Sequence, residues 1–326
     1  MRKLLLALAV SVASADLSSA GAETYPSRPM TMVVPFGPGG ATDVLARVIA
    51  RRISEVMGQQ VIVENVVGAG GTTGTLRVAK GRADGYQFLL GTAGTHAYTP
   101  TLYKRPPYNS VSDFAPVAII AEVPTILVLR QDLPTDNFQQ FVAYTKANQS
   151  KMQFGSAGVG SGTHLACALL NATIGVDVTH VPYRGGPQVF HDLIGGRLDY
   201  WCPASTIAIP QIVGRQVKAL AVLSKGRSAI LPTLASAHEE GLADFDAGTW
   251  YGLFLPKGTP TPIIRTLHDA TVAAMNSRAV EDQLREVGAT LVGVDRRTPE
   301  YFVNFIKEET AKWAIPITAA GLNGSM

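Results

Sequence analysis

The sequence predicts an α/β protein of two lobes, with a mostly parallel sheet in each lobe and a cleft between them. Three observations carry this. The chain of 326 residues is longer than one minimal core requires. Strand-like and helix-like stretches alternate through both halves. The same unit, a strand followed by a glycine turn and a helix, occurs once in each half, opening at residues 33–43 and again at 152–164. Apolar residues make up 46% and charged residues 16%, which suits a large buried core and excludes a disordered chain.

The first unit runs Val33-Val34-Pro35-Phe36-Gly37-Pro38-Gly39-Gly40-Ala41-Thr42-Asp43. Its helix carries Val44, Leu45, Val48, Ile49, Ile53 and Val56 at three-to-four spacing, with Arg47, Arg51, Arg52 and Glu55 opposite, and Gly58 ends it. Strands follow at residues 61–63 and 87–90, each running into small, glycine-containing loops, and residues 125–129 form a crossing strand into the second lobe. There the alternation resumes. Strands are expected near residues 152–155, 176–183, 198–202 and 217–223, and helices from Gly162, over 187–194 and over 207–213. A strand at 250–255 returns to the first lobe, and the remainder is helical, with a last helix after Thr298-Pro299-Glu300 to about Trp313. The expected division is residues 1–22 as a leader, 23–124 and 247–326 as lobe 1, and 125–246 as lobe 2. Two crossovers make a natural hinge.

Both glycine units place bare N–H groups and a positive helix end at the carboxyl end of a strand, which is an anion site. Gly39, Gly40 and Ala41 offer backbone donors on one side. Ser161, Gly162 and Thr163 offer donors and two hydroxyls on the other. A carboxylate, with about four acceptor sites, suits such a cradle. Asp43 reads first as a complement to the helix dipole, and alternatively as an orienter of water or of an amino group. His164 reads as a first-turn residue that fixes its loop through a backbone hydrogen bond, with direct ligand contact as the alternative.

The rival chemistries lack their residues. No Gly-Lys pair exists for a phosphate loop, and Thr73 stands where a dinucleotide fingerprint beginning at Gly68 needs its last glycine. No serine lies in G-x-S-x-G, so catalytic residues are not expected. The six histidines are scattered and neither cysteine has a partner at ligand spacing, so no metal and no cofactor is expected. A formal charge of +3 without a basic cluster gives no case for nucleic acid.

Arg2 and Lys3 precede an apolar run at residues 4–12 and two A-x-A patterns, the second ending at Ala22. This is the layout of a secretory signal peptide cleaved after Ala22. Export into an oxidising compartment favours a bridge between Cys167 and Cys202, the two cysteines of the chain, over two separate buried thiols.

The ordered series Tyr25-Pro26-Ser27-Arg28-Pro29, Val34 through Asp43, Glu64-Asn65 with Gly68-Ala69-Gly70-Gly71, Ala83-Asp84-Gly85-Tyr86, Tyr103-Lys104, Asp113-Phe114, Ser161-Gly162-Thr163-His164-Leu165, His180-Val181-Pro182-Tyr183-Arg184-Gly185 and Phe254-Leu255-Pro256-Lys257-Gly258-Thr259-Pro260 resembles the Bug-type extracytoplasmic solute receptors of the tripartite tricarboxylate transporter family. It covers about residues 25–322. The resemblance implies a two-lobed type II periplasmic-binding-protein fold that closes on a small carboxylate, whether dicarboxylate, acidic amino acid or aromatic acid. It also implies a periplasmic monomer that delivers its ligand to a two-component integral-membrane permease. Phe36, Gly39, Gly40, Ala41 and Asp43, with Thr92 and Thr95, would serve one lobe's site. Ser156, Ala157, Ser161, Gly162, Thr163 and His164 would serve the other, and Tyr183, Gly185 and Gly186 a further loop at the cleft. The sequence departs from the family pattern at Tyr200-Trp201-Cys202-Pro203 and at Cys167. The two cysteines depart together, which favours the bridge, and Trp201 reads as a core residue, with a role in the far wall as the alternative. The alternatives to transport are a sensor docking on a signalling receptor and an exported hydrolase using Ser161 and His164.

Overall fold

The structure, a computed structural model, describes residues 24–326. The expected leader and its cleavage point lie outside the described residues. In chain order the elements are β1 Met30–Val34, α1 Ala41–Met57, β2 Val61–Asn65, α2 Thr72–Ala79, β3 Gln87–Thr92, α3 Thr99–Leu102, β4 Phe114–Val123, β5 Ile126–Arg130, α4 Phe138–Asn148, β6 Gln153–Ser156 and α5 Gly162–Ile174. There follow β7 Thr179–Pro182, α6 Gly186–Ile194, β8 Tyr200–Trp201, α7 Ser205–Val213, β9 Val217–Val222, β10 Thr249–Pro256, α8 Thr261–Met275, α9 Arg278–Glu286, β11 Thr290–Leu291 and α10 Pro299–Ala319.

The strands form two sheets, ordered β11-β4-β10-β3-β1-β2 and β7-β6-β8-β5-β9. Both are mixed, where the sequence reading expected mostly parallel sheets. Strands β1, β2 and β3 are parallel, as are β6, β7 and β8. Strand β10 is antiparallel to both its neighbours, and so is β5. The physical reason is the entry route. The parallel strands follow helical crossovers, whereas β5 and β10 arrive from the other lobe and enter from the opposite end.

Local chemistry sets the elements that reach the cleft. Helix α1 buries Leu45, Ala46, Ile49, Ala50 and Ile53 along one stripe, and Gly58 ends it with φ 65°. Val56, expected in that stripe, is 42% exposed at the fraying end. In the second sheet the period of two divides the core. Leu127, Leu129, Tyr200 and Cys202 join the cluster that includes Cys167 and Leu170 of α5. Ile126, Val128 and Trp201 join the opposite cluster, with Val189 and Phe190 of α6. Cys202 therefore faces α5, and it is bridged to Cys167 with a Cα–Cα distance of 5.5 Å.

Strand β4 and helix α4 were not expected from the sequence, and the short strand β11 falls in the stretch expected to be helical. The run expected as a polar loop after β3 instead winds into a π-helical turn at Gly94–Tyr98.

Candidate functional site

The carboxyl ends of the parallel strands of both sheets meet at one cavity of about 60 Å³ between the lobes. That is room for a small organic molecule. Phe36, Gly40, Ala41, Thr42, Thr92, Thr249 and Tyr251 line it from the first lobe. Thr125, Ala157, Ser161, Gly162, Thr163, Gly186, Trp201, Ala204 and Ile207 complete it. Apart from Tyr251, whose phenol burial pushes upward, none of these residues is ionisable.

The positive potential comes from the backbone. Four helices begin on this cavity: α1 at Gly40-Ala41, α5 at Ser161-Gly162, α6 at Gly186 and α7 after Ala204. Each start carries unpaired N–H groups and roughly half a positive charge. Gly40, Gly185 and Ala204 precede α1, α6 and α7 without a capping side chain, so no side-chain oxygen competes for those donors.

The donors differ in detail from the sequence reading. The N–H of Gly39 donates to Asp43 Oδ2 at 2.9 Å, and that of Gly40 donates to the Gly37 carbonyl at 3.3 Å. Likewise, the Ser161 N–H donates to the Gly158 carbonyl at 3.1 Å. Among the described residues, the N–H groups of Ala41, Thr42, Gly162, Thr163 and Gly186 have no acceptor. The cradle therefore sits one residue deeper into each helix than the glycines suggest.

Behind the lining lies a layer of residues that shape it. Asp43 Oδ1 and Oδ2 accept from Arg47 and Asn65 as well as from Gly39. Burial opposes its ionisation, but these hydrogen bonds outweigh burial and hold the carboxyl below its ordinary range. Thr95 Oγ1 accepts from the Thr92 N–H at 3.0 Å and orients Thr92. Ser156 Oγ meets His180 Nε2 at 2.6 Å and accepts from the Gly158 N–H. His164 Nδ1 accepts from the Gly160 N–H at 3.2 Å, while its own N–H donates to Ser161 Oγ. Tyr183 donates to Asp192, and Gly185 packs its backbone on Gly37. Of the sixteen residues expected in the site, Phe36, Gly40, Ala41, Thr92, Ala157, Ser161, Gly162, Thr163 and Gly186 border the cavity. Gly39, Asp43, Thr95, Ser156, His164, Tyr183 and Gly185 stand in this supporting layer. Thr42, Thr125, Thr249, Tyr251, Ala204 and Ile207 border it beyond the expected set, and so does Trp201, in the far-wall position given above as the alternative to a core role. Residues 250–255 read as a strand, but nothing in that run marks Thr249 and Tyr251 as reaching the cleft.

The two lobes touch backbone to backbone around the cavity. A Cβ on Gly70 would stand 2.0 Å from the Val159 carbonyl oxygen, and one on Gly94 would stand 3.1 Å from the Gly162 nitrogen. Among the described residues no group of three or more potential ligands could hold a metal ion. The Ser161 hydroxyl bonds Thr163 Oγ1 and the His164 backbone, and it makes no bond to the His164 ring.

Two α/β lobes joined by two crossings, closed on a cavity of helix N-termini, define a solute-binding receptor. Residues 45–322 match the family described as tripartite tricarboxylate transporter family receptor (TctC), and the chain belongs to that family. It is 36% identical to the periplasmic binding protein BugD, with a TM-score of 0.89 over 92% of this chain and 99% of that one. MatC from Rhodopseudomonas palustris, solved with bound malate, is 34% identical with a TM-score of 0.87, covering 90% and 100%. A further R. palustris protein, solved with adipate, is 33% identical with a TM-score of 0.86, covering 91% and 98%. The family is one of receptors, not enzymes.

Proposed function

We propose that this receptor works in the periplasm, captures a small carboxylate between its lobes and delivers it to a two-component integral-membrane permease. One observation carries the reading: four helix N-termini surround a cavity with no charged side chain. Such a site neutralises an anion by dipoles and N–H donors without fixing a counter-ion. The malate- and adipate-bound relatives support the ligand class.

The lining also discriminates among acids. It offers no carboxylate to meet an ammonium group, and the helix ends would repel one. Dicarboxylates without an amino group are therefore favoured over acidic amino acids, and the cavity volume favours short aliphatic acids over aromatic ones. The working cycle is capture in an open cleft, closure about the two crossings, and docking of the closed monomer on the permease.

The test is calorimetric titration of protein stripped of co-purified ligand by unfolding and refolding. Malate, succinate, adipate, aspartate, glutamate and benzoate form the panel. Succinate or malate should bind, and aspartate should bind at least about tenfold more weakly, a difference of about 1.4 kcal/mol. Binding of a neutral sugar in preference to every acid would remove the carboxylate reading.

A further inference from the structure

The geometry points to Trp201 as the residue that determines which acid is accepted, an inference that rests on the carboxylate reading above. Trp201 is 0% exposed and yet borders the cavity. Strand β8 is pinned on both sides, with Trp201 opposite Val128 of β5 and Gly155 of β6. The edge of Phe190 meets the indole at 4.7 Å between ring centroids. The residue after it, Cys202, is bonded to Cys167 of α5, so the strand carrying the indole is covalently tied to the helix whose first turn carries Gly162 and Thr163. The ring is thus a fixed wall. Gly186 fits against it because it lacks a side chain: a Cβ there would lie 3.2 Å from Trp201 Cη2.

The indole also carries a polar signature. Its Nε1–H is buried and has no hydrogen-bond partner among the described residues. An indole nitrogen only donates, and a buried donor without an acceptor is disfavoured. None of the described residues supplies that acceptor, and the cavity is what the indole borders. The acceptor is therefore an oxygen that comes with the contents of the cavity, on the bound acid or on a water held with it. Trp201 acts twice, setting the depth of the cavity with its ring and selecting an oxygen at that depth with its N–H.

Two variants separate these roles in the full mature chain. Succinate, malate, glutarate and adipate are titrated into wild type, Trp201→Phe and Trp201→Leu. Trp201→Phe keeps a wall and removes the donor, so the best wild-type acid should lose about tenfold in affinity, as for one hydrogen bond. Trp201→Leu opens the wall, so the preferred chain length should move upward by at least one carbon. Intrinsic fluorescence gives a readout independent of affinity. Trp250 and Trp313 both donate to Glu309 away from the cavity lining, and Trp250→Phe and Trp313→Phe variants measure their own share of the emission change. The emission change on adding acid should therefore fall in Trp201→Phe by the share that Trp201 contributes, while calorimetric binding persists. Wild-type affinities and chain-length order in both variants, or an undiminished emission change in Trp201→Phe, would overturn the inference and leave the carboxylate reading standing. Absence of binding of every acid to wild type would overturn the carboxylate reading and this inference with it.

Discussion

Burial holds His164 neutral, at about 4, and His180, stacked on it at 4.1 Å, at about 3 through burial and the neighbouring ring. The neutral state matters because His164 Nδ1 must keep its lone pair to accept from the Gly160 N–H, which shapes the turn into α5. In the unfolded chain a histidine titrates near 6.5. Between about pH 6.5 and 4 the unfolded state therefore binds the proton first. Stability is full above this window and falls as pH drops through it, with no further loss from His164 below about 4. The gap corresponds to about 3 kcal/mol for His164. Buried His96, lowered to about 3 by burial, adds in the same direction. Asp43, lowered from 3.8, loses its stabilising charge only at lower pH. Urea midpoints at pH 7 and pH 4.5 test this. Wild type should lose stability on acidification, and His164→Asn, which keeps an acceptor but no titratable group, should lose about 2 kcal/mol less. An identical loss in both proteins would show that His164 does not set the acid response.

Among the elements, the helix starts that border the cavity make sharper predictions than the glycines that announce them. At Gly162 an added Cβ would meet nothing nearer than Thr249 Oγ1 at 3.9 Å. A side chain there enters the cavity and leaves the fold alone. Gly162→Val should weaken acid binding by at least about tenfold while the melting temperature of the free protein stays within about 2 °C, since valine is no worse than glycine in a helix. Unchanged affinity would remove the start of α5 from the site. The bridge from α5 to β8 is the second element-level feature. Its 35-residue separation places the stabilisation at roughly 3–4 kcal/mol by loop entropy. Cys167→Ala combined with Cys202→Ala should lower the denaturant midpoint accordingly, and an unaltered midpoint would contradict that account.

The starts of α1 and α5 were legible because small residues lead into an amphipathic stripe. The start of α7 was not, because Ala204 gives no capping signal. Strand β4 is not legible because most of its residues are buried on both faces, so its side chains do not alternate in polarity. The π-helical turn at residues 94–98 has no local signature. Gly39 departs from its expected donor role for a different reason: in the folded loop, with φ 72°, its N–H is taken by Asp43 Oδ2.

For the whole molecule, the proposed working cycle makes the equilibrium between open and closed lobes decisive, and glycines that meet across the cleft then bear on the closed state. Gly70 is the tightest case, with the Val159 carbonyl oxygen 2.0 Å from where a Cβ would stand. Its φ of 62° also means that alanine is strained there, by about 1 kcal/mol or more. That strain is local to the first lobe and is the same whether the cleft is open or closed, so it cancels from the closure equilibrium. The clash exists only when the lobes meet. Gly58 supplies the control, with φ 65° and nothing within 4 Å of its would-be Cβ. Both Gly70→Ala and Gly58→Ala should lower the stability of the free protein by a similar, small amount. Only Gly70→Ala should bias the population toward the open form, reducing affinity by at least about tenfold because binding must then also drive an unfavourable closure. Small-angle scattering at saturating acid should show wild type and Gly58→Ala compact and Gly70→Ala more extended. Equal compaction of all three with equal affinities would mean that the loops around Gly70 and Val159 yield without cost, and that closure is set elsewhere, at the two crossings between the sheets.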